Sequence, residues 1–169
     1  MKYLIIAMTI FSSTILFAAE KAITAKNWIN HPSIVEIRKI FSDTEESIKK
    51  GEIKADQPFE RESDRGGTEK FVLYADKEGL VYKCMREGGS EDSVYSMMHY
   101  YDSEKKLRFV FVKVAATNGA VAEYRIYYDR ASKRIWHIRD FKTKVRYPFV
   151  EIWPDDLVMF NPWSVVSVD

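Results

Sequence analysis

A short fragment that occurs three times in the second half of the chain constrains the fold more than any other feature. It reads YADKEGL at 74–80, YYDSEKK at 100–106 and YYDRASK at 127–133. Its aspartates, Asp76, Asp102 and Asp129, are 26 and 27 residues apart, the length of one strand up and one strand back. An aspartate carboxylate that accepts backbone N–H groups two residues ahead starts a tight turn. The repeat therefore predicts an antiparallel meander that turns three times at the same end of a sheet.

The residues between these turns have the composition of strands. The sequence predicts about six of them, at 70–76, 80–86, 93–102, 106–116, 121–129 and 133–141. Asn118-Gly119 predicts a two-residue hairpin loop at the opposite end of the sheet. In a three-residue hairpin loop the last residue adopts the left-handed conformation, which suits Gly79 and strains Lys105 and Ser132. The whole sheet is expected over about 70–141.

One helix is predicted before the sheet. The segment PSIVEIRKIFSDTEESIKK, about 32–50, has Pro32 in its first turn and Gly51 directly after its last. Apolar residues at helical spacing give it one face to bury. Residues of about 52–69 are polar and contain a proline and a glycine pair, which predicts a connecting loop. The predicted fold class is α+β, with one globular domain over 20–169.

The order of these elements resembles the cystatin-like and NTF2-like architectures, in which a twisted antiparallel sheet curls around a helix. The resemblance covers about 30–141, rests on element order, and includes no catalytic motif. Residues 147–169, YPFVEIWPDDLVMFNPWSVVSVD, are aromatic and interrupted by prolines that exclude a long helix or a central strand. We expect this C-terminal aromatic arm to cap the sheet. The alternative is a protruding recognition peptide.

The first 19 residues, MKYLIIAMTIFSSTILFAA, have the pattern of a secretory signal peptide: a lysine, an apolar run and small residues at the end. The apolar run is short for a membrane anchor and is interrupted by hydroxyl residues. Cleavage near Ala18 or Ala19 predicts a periplasmic or secreted protein of a bacterium, with no transmembrane span. The remaining chain has 25 basic and 25 acidic residues and no basic block, so nucleic acid is not an expected partner.

The two kinds of turn together predict which side chains share a face. We expect the helix to pack on the face that carries Met97, Phe111, Ile126 and Trp136. The other face then has an apolar centre and a charged margin that a ligand, the C-terminal arm or a second copy would cover. The candidate ligand-binding residues are on that second face: Tyr100, Arg108, Arg125, Tyr127 and His137.

Several chemistries lack support in the sequence. No hydrolase, zinc-protease or nucleotide-binding motif is present, so no catalytic residue and no cofactor is predicted. The predicted register places His99 and His137 on opposite faces, which argues against a metal shared between them. The acidic, glycine-rich segment 86–93 lacks the ligand spacing of a calcium loop. Cys84, the single cysteine, lies in a strand-like run and predicts a buried, unreactive thiol.

These observations favour a non-enzymatic binding or interaction module that uses the second sheet face and the 86–93 loop. Its partner would be an unidentified small molecule or another exported protein, and a homodimer is compatible with the sequence. One alternative is a small enzyme with a pocket between helix and sheet that uses a histidine as proton carrier. Another is an inhibitor of a second exported protein.

Overall fold

The structure, a computed structural model, describes residues 22–63 and 66–165. It contains one long helix and one antiparallel sheet of eight strands, so the α+β class and the meander are confirmed. The predicted signal peptide at 1–19 lies outside the described residues. The elements in chain order are α1 (Pro32–Lys50), β1 (Lys54–Ala55), β2 (Phe59–Glu62), β3 (Thr68–Ala75), β4 (Val81–Gly89), β5 (Ser93–Tyr101), β6 (Leu107–Ala116), β7 (Val121–Tyr128), β8 (Arg134–Phe141) and the single-turn α2 (Asp155–Val158).

Helix α1 has the predicted bounds because its ends are encoded locally. Pro32 occupies the first turn, where its missing N–H group costs nothing. Gly51 ends the helix with φ of 74°, and its N–H group donates to the Ile48 carbonyl. Between these ends Ile34 and Ile37 are fully buried. This buried stripe fixes which side of α1 contacts the sheet.

The sheet continues in sequence order from β3 to β8, so β8 forms one edge. At the other edge, β1 and β2 both pair with β3. The predicted loop at 52–69 is therefore wrong in part, and eight strands replace the predicted six. Strand β2 has the sequence FERE, and three of its four residues are exposed. Such a strand shows no alternation of apolar and polar residues that would mark it in the sequence.

The repeated aspartates form the predicted turns. Asp102 accepts hydrogen bonds through one carboxylate oxygen from the N–H groups of Glu104 at 3.0 Å and Lys106 at 2.9 Å. Asp76 and Asp129 make the same pair of bonds in their loops. The last loop residues have positive φ, 80° at Gly79, 62° at Lys105 and 57° at Ser132. The three copies thus share one turn geometry.

A β-bulge directly beside each of these turns changes the register. Tyr101 pairs with Leu107 as the turn dictates, but Tyr100 pairs with Phe109, and Arg108 is the extra residue. The same shift occurs between β3 and β4 and between β7 and β8. The loop at Asn118-Gly119 contains three residues instead of two, because the Ala116 N–H group donates to the Ala120 carbonyl. The predicted register is wrong by one residue, which moves side chains to the other face.

The two faces of the sheet are therefore different from those predicted. We call the first the helix face; its central rows are Met98, Phe111, Arg125, Ile138 and Tyr100, Phe109, Tyr127, Trp136. We call the second the C-terminal face; its central rows are Met97, Val112, Tyr124, Arg139 and His99, Val110, Ile126, His137. Helix α1 packs Ile34 and Ile37 against Tyr100, Phe109 and Tyr127. The predicted packing face mixed the two, since Met97 and Ile126 belong to the C-terminal face.

Residues 149–165 contact the C-terminal face. Val158 is fully buried in its core, and aromatic side chains pack around it: Phe149, Trp153, Phe160 and Trp163. Backbone carbonyls of the segment accept hydrogen bonds from side chains of the sheet, from the Tyr101 hydroxyl to Phe160 at 2.8 Å and from the Tyr124 hydroxyl to Val150 at 2.6 Å. These bonds satisfy the backbone of a segment that has little regular structure.

Candidate functional site

A cavity of about 900 Å³ lies between α1 and the helix face. Helix α1 covers the row of Tyr100, Phe109 and Tyr127 and leaves the neighbouring row of Met98, Phe111, Arg125 and Ile138 partly exposed. That second row forms the floor of the cavity. The remaining lining residues are Trp28, Arg38, Phe41, Glu45, Lys83, Arg139 and Asp140. We call this the helix–sheet cavity.

Aromatic rings form most of its apolar surface. Phe41 of α1 stands edge-on to Tyr100 at 5.0 Å and to Phe109 at 5.8 Å between ring centroids. Tyr127 lies 5.1 Å from Phe109 and 6.4 Å from Trp28. Phe41 nevertheless remains 39% exposed. Rings held in place on one side and open on the other provide a rigid apolar surface for a ligand.

An internal ion pair occupies one part of the wall. The Lys83 ammonium group lies 2.6 Å from Glu45, and the Tyr100 hydroxyl donates to the same carboxylate oxygen at 2.8 Å. Burial alone would raise the pKa of Glu45, but the bonds from Lys83 and Tyr100 outweigh it and lower the pKa below its ordinary value. Burial and Glu45 together raise the pKa of Tyr100. Glu45 is therefore a satisfied carboxylate that joins α1 to the sheet.

Arg125 and Tyr127 are neighbours on the helix-face side of β7. The Arg125 guanidinium lies over the Phe111 ring, 5.3 Å from its centroid, and donates to Glu123 at 3.1 Å. Its side chain is 34% exposed. Tyr127 is 3% exposed, and its hydroxyl makes no hydrogen bond with the part of the chain that the structure describes. Both residues thus keep donors that the surrounding protein does not use.

Arg38 reaches the cavity from α1. Its guanidinium lies 5.0 Å from the centroid of the Trp28 ring and donates to the Ile29 carbonyl at 3.0 Å. Within residues 22–63 and 66–165, no carboxylate forms an ion pair with it. Trp28 contacts both Arg38 and Tyr127, so these two residues lie around the same ring.

The structure brings together three of the five residues predicted to bind a ligand. Tyr100, Arg125 and Tyr127 all line the helix–sheet cavity. Arg108, the bulged residue of β6, is 3% exposed and bonded to Asp102 at 3.0 Å and Glu36 at 3.3 Å. It therefore links a turn of the sheet to α1. His137 lies on the C-terminal face, because the bulge at Ile135 shifts its register.

The two sheet histidines share one row, which corrects the prediction that they face opposite sides. Two strands separate them, or roughly 14 Å at normal strand spacing. His99 is fully buried, and its Nε2 donates to the Val158 carbonyl at 2.8 Å. Burial lowers the pKa of His99 to about 4. Neither histidine lies on the helix face, and in the described ranges no three His, Cys, Asp or Glu side chains are grouped to hold a metal ion.

The segment 86–93 is mostly strand. β4 extends to Gly89 and β5 begins at Ser93, so the connecting loop contains three residues. The Tyr147 hydroxyl donates to Asp92 in this loop at 2.6 Å and ties it to the C-terminal segment. Cys84 is buried, and this burial raises the pKa of its thiol to about 12. The thiol is therefore protonated and unreactive.

Sequence reasoning missed the cavity residues contributed by α1, by β4 and by the short 3-10 turn Trp28–Asn30 that precedes α1. They are Trp28, Arg38, Phe41, Glu45 and Lys83. The spacing of Arg38, Phe41 and Glu45 was a usable signal, because residues three and four apart lie on one side of a helix. No such signal marks Lys83, whose place in the wall depends on strand register.

No protein-family model, no curated protein and no solved structure matches this chain. Among the described residues, no helix combines the length and apolar character needed to cross a membrane.

Proposed function

We propose that this protein binds a small, largely apolar molecule non-covalently in the helix–sheet cavity. The observation that carries the proposal is the cavity itself, whose volume is about 900 Å³ and whose floor consists of partly exposed apolar and aromatic side chains. Small-molecule sites have volumes of roughly 300–1,000 Å³ and combine apolar walls with a few polar groups. The lining has that composition, and Arg38, Arg125 and Tyr127 are the polar groups whose donors the protein does not fully use.

The site proposed here differs from the one that the sequence favoured. Arg125 and Tyr127 remain in it, but they lie beneath α1 and not on the face that the C-terminal segment contacts. The 86–93 loop is not among the lining residues of this cavity. A ligand held between a helix and a sheet would be more enclosed than one on an open sheet face.

We further propose that the protein acts in the periplasm or outside the cell. The pattern of residues 1–19 supports this. We also propose a cystatin-like or NTF2-like arrangement, supported by the contacts of α1 with β5, β6 and β7. The contacts of Trp153, Val158 and Phe160 support the proposal that the C-terminal arm caps the second face.

The proposal is tested with the neutral apolar dye N-phenylnaphthylamine. Its fluorescence should rise and saturate on titration into the purified protein. Replacement Ile138→Trp adds a large ring to the floor of the cavity and should weaken dye binding by about tenfold or more, since the added volume displaces the ligand. The matched control is Val35→Trp on the outer side of α1, where the side chain is 50% exposed. This control should bind the dye as the unaltered protein does.

Two results would overturn the proposal. One is an absence of saturable dye binding by the folded protein. The other is equal binding by the Ile138→Trp and Val35→Trp variants, which would place the dye elsewhere. Circular dichroism of both variants establishes that each retains the sheet. Native mass spectrometry, compared with the denatured mass, would also detect any molecule that remains bound through purification.

A further inference from the structure

The helix–sheet cavity is lined by more basic than acidic side chains. Glu45 is bound by Lys83 and Tyr100, and Asp140 is bound by Lys142. Arg139 also touches the cavity, but its guanidinium donates to the Val150 carbonyl of the C-terminal segment. The two acidic groups are thus engaged by the protein. The arginines Arg38 and Arg125 retain unused donors.

Arg125 is held in a way that leaves most of its guanidinium available. One nitrogen donates to Glu123, and that carboxylate oxygen is shared with Lys142 at 3.1 Å. The Phe111 ring supports the guanidinium plane from one side. A planar guanidinium presents five N–H donors, and a carboxylate, sulfonate or phosphate can accept two of them in parallel. The protein therefore holds the Arg125 guanidinium in position before a ligand binds.

Tyr127 adds a second donor next to Arg125. The two residues are separated by one position on β7, which places them roughly 6.6 Å apart along the same face. The Tyr127 side chain is buried to more than nine tenths, but its hydroxyl, which bonds to none of the described residues, is not one of the enclosed polar atoms and is therefore open to solvent. A hydroxyl that is open to solvent and not bonded within the protein can donate to a ligand without breaking a hydrogen bond of the fold. Arg38 lies close by, because it and Tyr127 contact the same Trp28 ring.

We propose that the ligand of the helix–sheet cavity is an amphipathic anion, whose acidic group is bound by Arg125 and Tyr127 with Arg38 at the entrance. Its apolar body lies on the floor formed by Met98, Phe111 and Ile138. The chemical class is a carboxylate, sulfonate or phosphate ester that carries an aromatic or aliphatic group. This inference rests on the proposed function and specifies which molecules the cavity selects.

The test compares two dyes with the same apolar body. Anilinonaphthalene sulfonate carries an anionic group, and N-phenylnaphthylamine does not. The double replacement Arg38→Met and Arg125→Met keeps much of the apolar volume and removes the guanidinium donors. We expect it to weaken binding of the sulfonate dye by about tenfold or more, the loss of at least one charge-assisted hydrogen bond, while binding of the neutral dye changes by less than about threefold.

A matched control separates a local effect from one of net charge. The double replacement Arg61→Met and Arg146→Met removes the same two charges at exposed positions that do not line this cavity. It should leave binding of both dyes unchanged. Tyr127→Phe removes one oxygen and should weaken the sulfonate dye alone, by about threefold to tenfold. This variant keeps the ring contacts with Phe109 and Trp28, so it tests the hydroxyl even if an arginine variant fails to fold.

The outcomes distinguish this inference from the proposed function. If neither dye binds, the cavity is not a ligand site and both fail. If the neutral dye binds as predicted and the arginine variants lose both dyes equally, or lose neither, the anion inference alone is overturned. Selective loss of the sulfonate dye in the cavity variants, with the control variants unchanged, supports it.

Discussion

The two faces of the sheet are covered in different ways. On the C-terminal face, side chains of the sheet donate hydrogen bonds to backbone carbonyls of residues 149–165, and Val158 is completely buried. On the helix face, α1 covers the row of Phe109 and Tyr127 and leaves the next row partly open. An irregular segment can follow a surface closely, whereas a straight helix contacts a twisted sheet along a limited line. The C-terminal face is therefore covered over its central rows, whereas part of the helix face borders the cavity.

The largest difference in the free energy of unfolding is expected between alanine variants of two isoleucines on neighbouring strands. Ile126 on the C-terminal face is 1% exposed, while Ile138 on the helix face borders the cavity. We expect Ile126→Ala to lower the free energy of unfolding by about 4 kcal/mol, the cost of a cavity in a packed core. Ile138→Ala should lower it by about 1 kcal/mol, since its side chain already borders open space. Urea unfolding of both variants measures the difference, and equal losses would contradict the distinction between the faces.

The next largest effect on the free energy of unfolding is expected from an ion pair of the C-terminal face. Arg86 lies 2.7 Å from Glu69, and another of its nitrogens donates to the Leu157 carbonyl at 2.9 Å. Arg86→Met leaves the Glu69 carboxylate buried with Tyr95 as its remaining partner. We expect a loss of about 3 kcal/mol in the free energy of unfolding. Lys39→Met, which breaks an exposed pair with Asp43 on α1, should cost less than about 0.5 kcal/mol in the same assay.

Acid should destabilise the protein through a buried histidine of the C-terminal face. His99 has an ordinary pKa of 6.5 when unfolded and a pKa of about 4 when folded, so between these values the unfolded chain binds more protons. The contribution is complete well above pH 6.5, decreases as the pH falls from 6.5 toward 4, and is fully lost below the folded pKa. We expect a loss of about 2 kcal/mol between pH 6.5 and about pH 5, measured by urea unfolding.

Two variants test whether His99 causes this pH dependence of the free energy of unfolding. His99→Gln can retain a donor to the Val158 carbonyl but has no proton to gain, so the slope above about pH 5 should flatten. His137 is in the same row but partly exposed. Burial, the largest cause, and Arg134 lower the pKa of His137. His137→Gln should leave most of the slope, and a larger change there than in His99→Gln would overturn the assignment.

The smallest effect is expected where neither face is altered. Ser132 has a φ of 57°, a conformation in which its Cβ atom costs energy. Ser132→Gly should raise the free energy of unfolding by about 0.5–1 kcal/mol, partly offset by the greater freedom of glycine in the unfolded chain. Thermal unfolding would detect the change as an increase in Tm of a few degrees. Because both faces remain intact, dye binding in the helix–sheet cavity should be unaffected.

Local features of the sequence predicted local structure well. Pro32 and Gly51 gave the ends of α1, and Asp76, Asp102 and Asp129 gave three turns of one geometry. These predictions succeed because each depends on backbone groups within a few residues. The strand FERE was missed for the opposite reason, since its pairing with β3 is a distant interaction.

Assignment of side chains to faces failed at the bulges. Tyr82, Arg108 and Ile135 each add one residue beside a turn, and none has a side chain that is unusual in a regular strand. A shift of one residue moved His137 away from Arg125 and Tyr127. Three residues of the cavity lining, Tyr100, Arg125 and Tyr127, were therefore identified from the sequence. The contribution of α1 was not, because it depends on which face the helix covers.

Because the Cys84 thiol is buried, the rate at which it is alkylated can measure the opening of the C-terminal face. Its thiol is next to His99 across the β4–β5 pairing and belongs to the core that contains Val158. An alkylating reagent can reach it when the segment that covers this core moves away. At high reagent concentration the labelling rate then equals the frequency of that opening, and at low concentration it reports the equilibrium between open and closed forms. The labelling rate of a single sulfur atom would thus measure how often the C-terminal face opens.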